Sequence, residues 1–241
     1  MSDNEFSELQ AVDFSLGAYI MGAFDDLNPS VGPKQWREFL TRATNKKIFR
    51  EETDTPTEFL KNLSSSGKTE TVVDGVKLRL PQLPVTYYYR KPGMTNGDTR
   101  NFPKKIVTTD GAKLFDITMS PIVLDYHIVF AAWDKLSIDK MQIAWYQYVI
   151  KKTRFTVQYE LAGEAFEVSA AVRDPYTIMF ADLSIPRADG RLFAVDTLVT
   201  IETSVLFGAE LSPALYPDQI TIEGSWGGFA CIKSIGEKCS G

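Results

Sequence analysis

From Phe193 to Phe207 every second residue is β-branched or aromatic: Phe193, Val195, Thr197, Val199, Ile201, Thr203, Val205 and Phe207. The residues between them include Asp196, Thr200, Glu202 and Ser204. Side chains alternate sides along a strand, so this pattern predicts one long strand with a buried and a wet face. A second alternation, Ile122, Leu124, Tyr126, Ile128 and Phe130 against Asp125 and His127, predicts another. Strands usually run to five or six residues, so two of this length commit the chain to a sheet that extends beyond an ordinary compact domain.

Shorter strands surround these two. Val76, Leu78 and Leu80 alternate with Lys77 and Arg79, and Val85-Thr86-Tyr87-Tyr88-Tyr89 follows two prolines that mark an edge or a bend. Lys105 to Thr109 and Lys113 to Met119 flank a hairpin-type Asp110-Gly111 turn. Phe155, Val157, Tyr159 and Leu161 lead through Ala162-Gly163 to Phe166, Val168 and Ala170. Between the strand ending near Phe130 and the one starting at Phe155, Ile138, Met141, Trp145, Tyr148 and Val149 make one helical apolar stripe, with Ser137 placed to cap it.

The first third leans to helix. Leu9, Val12, Phe14, Leu16, Tyr19, Ile20 and Phe24 are irregularly spaced, and Gly17 and Gly22 each weaken a helix by about 1 kcal/mol. A stable helix and an arm ordered only against something else fit this segment equally. Pro33 opens a short helix carrying Trp36, Phe39, Leu40 and Ala43, and Thr55-Pro56 opens another carrying Phe59, Leu60 and Leu63. The expected fold is therefore α+β: an antiparallel sheet with a packed helix, preceded by a helical N-terminal segment. Residues 1–66 form that partly extended segment, 67–224 the sheet domain and 225–241 a C-terminal tail. Pro92 to Pro103 reads as a loop, mobile in the free subunit and ordered on assembly.

At 241 residues, 44% hydrophobic and 24% charged, the chain can bury a core without a disulfide or metal. The N-terminus shows no signal peptide and no apolar run is long enough to cross a bilayer, so the expectation is a protein made in the cytoplasm, with Cys231 and Cys239 reduced by default. The net charge of -5 is unevenly spread. Met1 to Pro33 carries only acids among its charges, whereas Lys34 to Arg50 and Arg90 to Lys105 are basic. Beyond simply keeping the surface solvated, this asymmetry suits copies that meet head to tail, in which case deleting the acidic arm would leave a folded monomer that assembles poorly.

The chemistry expected of an enzyme is poorly represented. The single histidine, His127, has Asp125 two residues away on the polar face of its strand, which is the setting of a structural histidine. Gly224-Ser225-Trp226-Gly227 follows Glu223, where a nucleophile elbow requires glycine. Gly67-Lys68-Thr69 lacks the earlier glycine of a phosphate loop and precedes a strand pattern where a helix is needed. Two cysteines and one histidine are too few for a zinc site. A pI near 5.1 opposes nucleic-acid binding. No catalytic, cofactor or metal residue is assigned and no cofactor is expected. The candidate interface residues are Tyr87, Tyr88, Tyr89, Arg90, Lys91, Arg100, Lys104, Lys105 and Trp226, chosen as aromatic anchors and loop cations.

The strand Leu124-Asp125-Tyr126-His127-Ile128-Val129-Phe130-Ala131-Ala132-Trp133, the helix from Ser137 to Ile150, the strand Phe155-Thr156-Val157-Gln158-Tyr159 and the long late strand together resemble the tail-completion, or tail-terminator, family of contractile-tailed bacteriophages. The resemblance covers Asp116 to Phe207. It implies a homo-oligomeric ring, commonly sixfold, in the neck of the virion. Its subunits would join through sheets and extended segments, contact other neck and tail proteins, and let DNA pass as cargo. The alternatives are another neck, collar or baseplate component, a cytosolic enzyme using two distant carboxylates, and an adaptor that binds peptides along a strand edge.

Overall fold

The computed structural model describes residues 8–53, 55–65, 71–73, 76–78, 83–97, 105–110, 113–161, 164–187 and 190–210. The chain begins with helix α1 (Glu8–Asp25), α2 (Lys34–Thr41), a 3-10 turn (Thr44–Lys46), strand β1 (Ile48–Arg50) and α3 (Pro56–Ser65). There follow β2 (Thr71–Val73), β3 (Val76–Leu78), β4 (Val85–Arg90), β5 (Thr95–Asn96), β6 (Lys105–Asp110) and the 20-residue β7 (Lys113–Ala132). Helix α4 (Lys135–Lys151), β8 (Arg154–Leu161), β9 (Glu164–Val172), a 3-10 turn (Pro175–Thr177), β10 (Ala181–Asp182), β11 (Ile185–Arg187) and the 21-residue β12 (Gly190–Glu210) complete it.

The mixture of helices and strands is as expected, but the sheet is mixed. The main sheet runs β1-β4-β7-β12-β9-β8, and its β1–β4 pair is parallel while the other pairs are antiparallel. The chain enters β4 from β1 through α3 and the separate β2–β3 hairpin, a crossover long enough for parallel pairing. The long strands form the spine, in register from Phe193–Ala132 to Glu210–Phe115.

The alternation at Ile122 and the stretch from Lys113 belong to one strand, where the sequence suggested two. Pro121 does not break it, because its carbonyl, and hence its missing N–H, faces β5, where Gly97 N–H donates to Pro121 O at 3.0 Å. Part of the expected loop is thereby tied down: Thr95 and Asn96 pair with Val123 and Ile122. Residues 98–103 of that loop, like Gly67-Lys68-Thr69, lie outside the described residues.

The N-terminal segment is a helix built into the core. Val12, Leu16, Tyr19, Ile20, Ala23 and Phe24 are buried in the same cluster as Tyr126, Ile128 and Phe130 of β7 and Val157 of β8. Helix α1 touches both β1 and β8, the two ends of the strand order, so the sheet curls around it. The idea of an arm removable without unfolding is therefore corrected: the helix supplies a wall of the core.

Its two glycines are explained by close approach. A Cβ at Gly17 would strike the Tyr88 hydroxyl, and one at Gly22 the Tyr148 hydroxyl. Helix propensity is given up so that α1 can lie against β4 and α4. Tyr19 is the centre of that contact: its ring stacks on Phe155 at 4.8 Å, meets Trp145 edge-on at 5.7 Å, and its hydroxyl donates to the Lys152 carbonyl.

Helix α4 buries Ile138, Met141, Trp145 and Val149 as its stripe requires. The cap differs from the expected one. Asp134, not Ser137, is the N-cap: its carboxylate accepts from the Ser137 N–H and from the Ser137 hydroxyl, both at 2.7 Å. Likewise Pro33 sits at the cap position of α2, just before its first turn. Opposite the α1 side of the sheet, α3 packs Phe59, Leu60 and Leu63 on Val85, Tyr87, Val129 and Ala131.

Candidate functional site

Part of the charge asymmetry of the sequence is resolved inside the chain. Asp13, on the sheet-facing side of α1, is 1% exposed. Arg50 Nη2 of β1 lies 2.7 Å from its Oδ2, and Arg90 Nε of β4 lies 3.3 Å from its Oδ1. The Tyr126 hydroxyl donates to Oδ1 at 2.6 Å, and the Tyr88 hydroxyl donates to the Asp13 carbonyl at 3.0 Å. Burial, reinforced by the neighbouring carboxylate, raises the Tyr126 and Tyr88 phenols above their ordinary range, Tyr88 to about 12. One acidic residue of the N-terminal segment thus holds two cations from the basic stretches and locks α1 to the β1-β4-β7 part of the sheet.

Other cations of the basic stretches are also engaged. Arg42 donates to Pro84 O at 2.9 Å and to Leu83 O at 3.4 Å, and burial lowers its pKa to about 10. Lys47 is buried, donates to Leu40 O at 3.3 Å and lies over the Phe39 ring; burial lowers its pKa as well. A basic outer surface from Lys34 to Arg50 is thereby reduced. Lys34, Arg37 and Lys46 remain on the exterior.

The candidate interface residues separate into three groups. Tyr87 and Tyr88 are core residues: Tyr87 stacks on Phe59 at 4.2 Å, and Tyr88 bonds α1. Tyr89 stacks on the His127 ring at 4.9 Å, and Arg90 is committed to Asp13. These four explain packing within the chain. Lys91 is exposed at the start of the loop, and Lys105 begins β6 opposite Thr118. Arg100, Lys104 and Trp226, like Cys231 and Cys239, lie outside the described residues.

His127 is half-buried and pairs with an acid that sequence spacing did not pick out. Its Nδ1 lies 2.7 Å from Asp196 Oδ2, across the β7–β12 ladder, while Asp125 accepts from the Thr200 hydroxyl at 2.6 Å. No group of three or more His, Cys, Asp or Glu side chains suited to a metal occurs among the described residues.

An apolar surface also remains open to a partner. Past β9, the Pro175–Thr177 turn carries Tyr176, 71% exposed, and is followed by Met179, 79% exposed. Met179 and Leu198 line a surface depression of about 330 Å³ with Arg173, Asp174, Ile178 and Thr200. Arg173 Nε reaches Glu202 Oε1 at 3.3 Å at its edge. The neighbouring helix α4 adds a second apolar face, opposite its buried stripe, in which Leu136 and Ile143 are more than half exposed. Large exposed apolar side chains in this concentration mark a contact surface. The sequence signal for it was present in Tyr176 and Met179, two large apolar residues in a segment that opens with Asp174-Pro175 and follows no strand alternation. No protein-family model and no curated protein matches the chain.

Proposed function

We propose that the chain is a structural subunit of a tailed-bacteriophage virion, a neck or tail-terminator ring protein that joins tail tube and sheath to the head connector. The observation that carries this reading is the β7–β12 ribbon. It continues beside β6 to Glu210–Phe115 after β4 has left β7 and β9 has left β12. Past those points the ribbon still supplies Met119, Ile122, Leu124, Val205 and Leu206 to the core, and its continuation to Glu210–Phe115 gives neighbouring subunits an extended element to pack on, the kind of joint that the sequence resemblance implies. In this reading the antiparallel part of the sheet is the joining element, and the exposed apolar residues of α4 and of the Tyr176–Met179 stretch meet other copies or other neck and tail proteins.

An enzyme built on distant carboxylates is a weaker reading, because Asp13, the most enclosed carboxylate described, is walled off by Arg50, Arg90 and Tyr126 and offers no face to a substrate. The test joins imaging with genomic context. The full-length protein, weighed by mass photometry and imaged in negative stain, forms closed rings of one size, and its coding sequence lies beside those for sheath, tube and portal. A persistent monomer from a neighbourhood without tail genes refutes the proposal.

A further inference from the structure

On the side away from β7, strand β12 is paired by β9 and by β10, and between the two the pairing is interrupted. Successive residues of an antiparallel strand direct their N–H and C=O groups to opposite edges. The Thr200 carbonyl accepts from Arg173 N–H at 2.8 Å and the Ala194 carbonyl from Leu183 N–H at 2.9 Å, so the even-numbered residues turn to this edge. Asp196 has Ala181 of β10 opposite it. Leu198 has no such partner: among the described residues no backbone hydrogen bond meets it on this side. The sequence accounts for the gap. Were β9 to continue in register past Arg173 and Thr200, Pro175 would stand opposite Leu198, and proline has no N–H to give. Asp174 instead takes the left-handed conformation, with φ 48°, and pairing resumes only where Ala181 faces Asp196. The chain between them passes on the core side of the sheet, with the Pro175–Thr177 turn against α4 and Ile178 and Phe180 packed on the core. The opposite side of the gap, which carries the Leu198 side chain, stays open as the depression of about 330 Å³.

We infer that this gap docks a short extended segment of a partner protein, one that presents an apolar residue flanked by lysine or arginine. Leu198 directs one donor and one acceptor into the gap at the spacing of a ladder position, and the backbone of a single extended residue satisfies both. The side chain of that residue is received by Ile178, Met179 and Leu198. Met179 is 79% exposed and its flexible thioether adapts to what it meets. Charge decides the flanks. Asp174 lines the depression; Glu202 adjoins it through Arg173 at 3.3 Å, and Asp125 through the Thr200 hydroxyl at 2.6 Å. The one guanidinium among the lining residues, that of Arg173, already has both Glu202 and, at 3.9 Å, Asp174 beside its Nε. Lys91 lies one strand further off, where its N–H donates to the Asp125 carbonyl. Three carboxylates against one shared guanidinium leave the rim negative, which favours a basic segment and disfavours an acidic one.

The site assigns a partner chemistry to this surface and does not rest on the virion reading. Two measurements on the full-length protein test it. Hydrogen exchange resolved to single residues, without ligand, finds the Leu198 amide exchanging about tenfold or more faster than those of Thr197 and Val199, which are bonded to β7. The pentapeptide Ala-Lys-Leu-Lys-Ala, amidated and carrying a neutral dye at its N-terminus, then binds saturably in fluorescence anisotropy and slows the Leu198 amide. Binding weakens by about fivefold or more when the peptide leucine is N-methylated, which removes its donor, and when both lysines are replaced by glutamate. It weakens similarly in Met179→Ser, a substitution at an exposed position outside the core. A Leu198 amide as slow as its neighbours in the unliganded protein overturns the inference, because the gap is then filled by this chain or a second copy. So does an absence of saturable binding at millimolar peptide, or binding indifferent to N-methylation, to charge reversal or to Met179→Ser. Closed rings found together with any of these results sink the inference while leaving the virion proposal standing.

Discussion

Replacing Asp13 with alanine tests whether the buried charge cluster is what fixes α1 to the sheet. The substitution removes a carboxylate that is 1% exposed and leaves Arg50 and Arg90 facing each other with their shared partner gone. Breaking a fully buried ion pair from one side costs roughly 3–5 kcal/mol. Here the Arg50 and Arg90 side chains are 30% and 23% exposed, so each guanidinium can recover part of its hydration, and the lower end applies. Tyr126 loses its acceptor in the same step, which adds to the cost. The expected total is about 3 kcal/mol, or a fall in Tm of roughly 6–12 °C for a chain of this size. Asp13→Asn keeps an acceptor for Tyr126 while discarding the charge, and should cost about 2 kcal/mol. Urea unfolding monitored by tryptophan fluorescence and far-UV circular dichroism measures both. A loss below about 0.5 kcal/mol for Asp13→Ala, the scale of an ordinary surface substitution, refutes the reasoning.

Two further outcomes concern the same contact between α1 and the sheet. Gly17→Ala improves helix propensity by about 1 kcal/mol, yet it should destabilise by about 1–3 kcal/mol net, because the new methyl displaces the buried Tyr88 hydroxyl from the Asp13 carbonyl; a more stable variant by the same urea titration contradicts the packing. Alkaline sensitivity should be pronounced. Tyr19, Tyr88 and Tyr126 all have phenols raised by burial, so the unfolded chain releases their protons near pH 10 while the folded chain keeps them; stability is complete below that pH and is lost as the pH rises from 10 toward 12 and beyond. In Tyr126→Phe the slope of stability against pH above 10 should flatten by up to about 1.4 kcal/mol per unit, and an unchanged slope counts against the burial of that phenol.

The elements legible in the sequence were those in which one face alone decides the structure. The alternation from Phe193 to Phe207 and the stripe from Ile138 to Val149 each state a period that only one element satisfies, and β12 and α4 follow them. The hairpin pairings of β6 with β7 and of β8 with β9 were legible for a similar local reason, and they are described from Asp110–Lys113 and Leu161–Glu164 onward, Gly111, Ala162 and Gly163 lying outside the described residues. Helix α1 was not, because it is surrounded: with sheet on several sides its apolar residues form no single stripe, and its glycines answer to Tyr88 and Tyr148, which are distant in sequence. The parallel β1–β4 pair was hidden likewise, since Ile48-Phe49-Arg50 is too short for alternation to register. Among site residues, Asp125 stood near His127 by spacing, but the partner that the histidine meets, Asp196, is 69 positions away and is brought diagonally across from it only by the ladder, in which His127 faces Leu198.

The charges that first suggested head-to-tail contact have a different use in the folded chain. An acidic segment followed by a basic one is equally the pattern of a chain that folds its own ends together, and Asp13 with Arg50 and Arg90 takes that course. Charges so used cannot also steer assembly, because their fields are spent on one another within the core. Replacing all three by apolar residues of similar size would be expected to cost little stability, as buried ion clusters commonly hold a unique arrangement more than they add free energy. What is left for contact between molecules is therefore of a different kind. It includes the apolar side chains on α4 and around Met179. Contact through such a face draws on buried apolar area and not on charge, so assembly that uses it is expected to persist at high salt, and dissociation by salt alone counts against it.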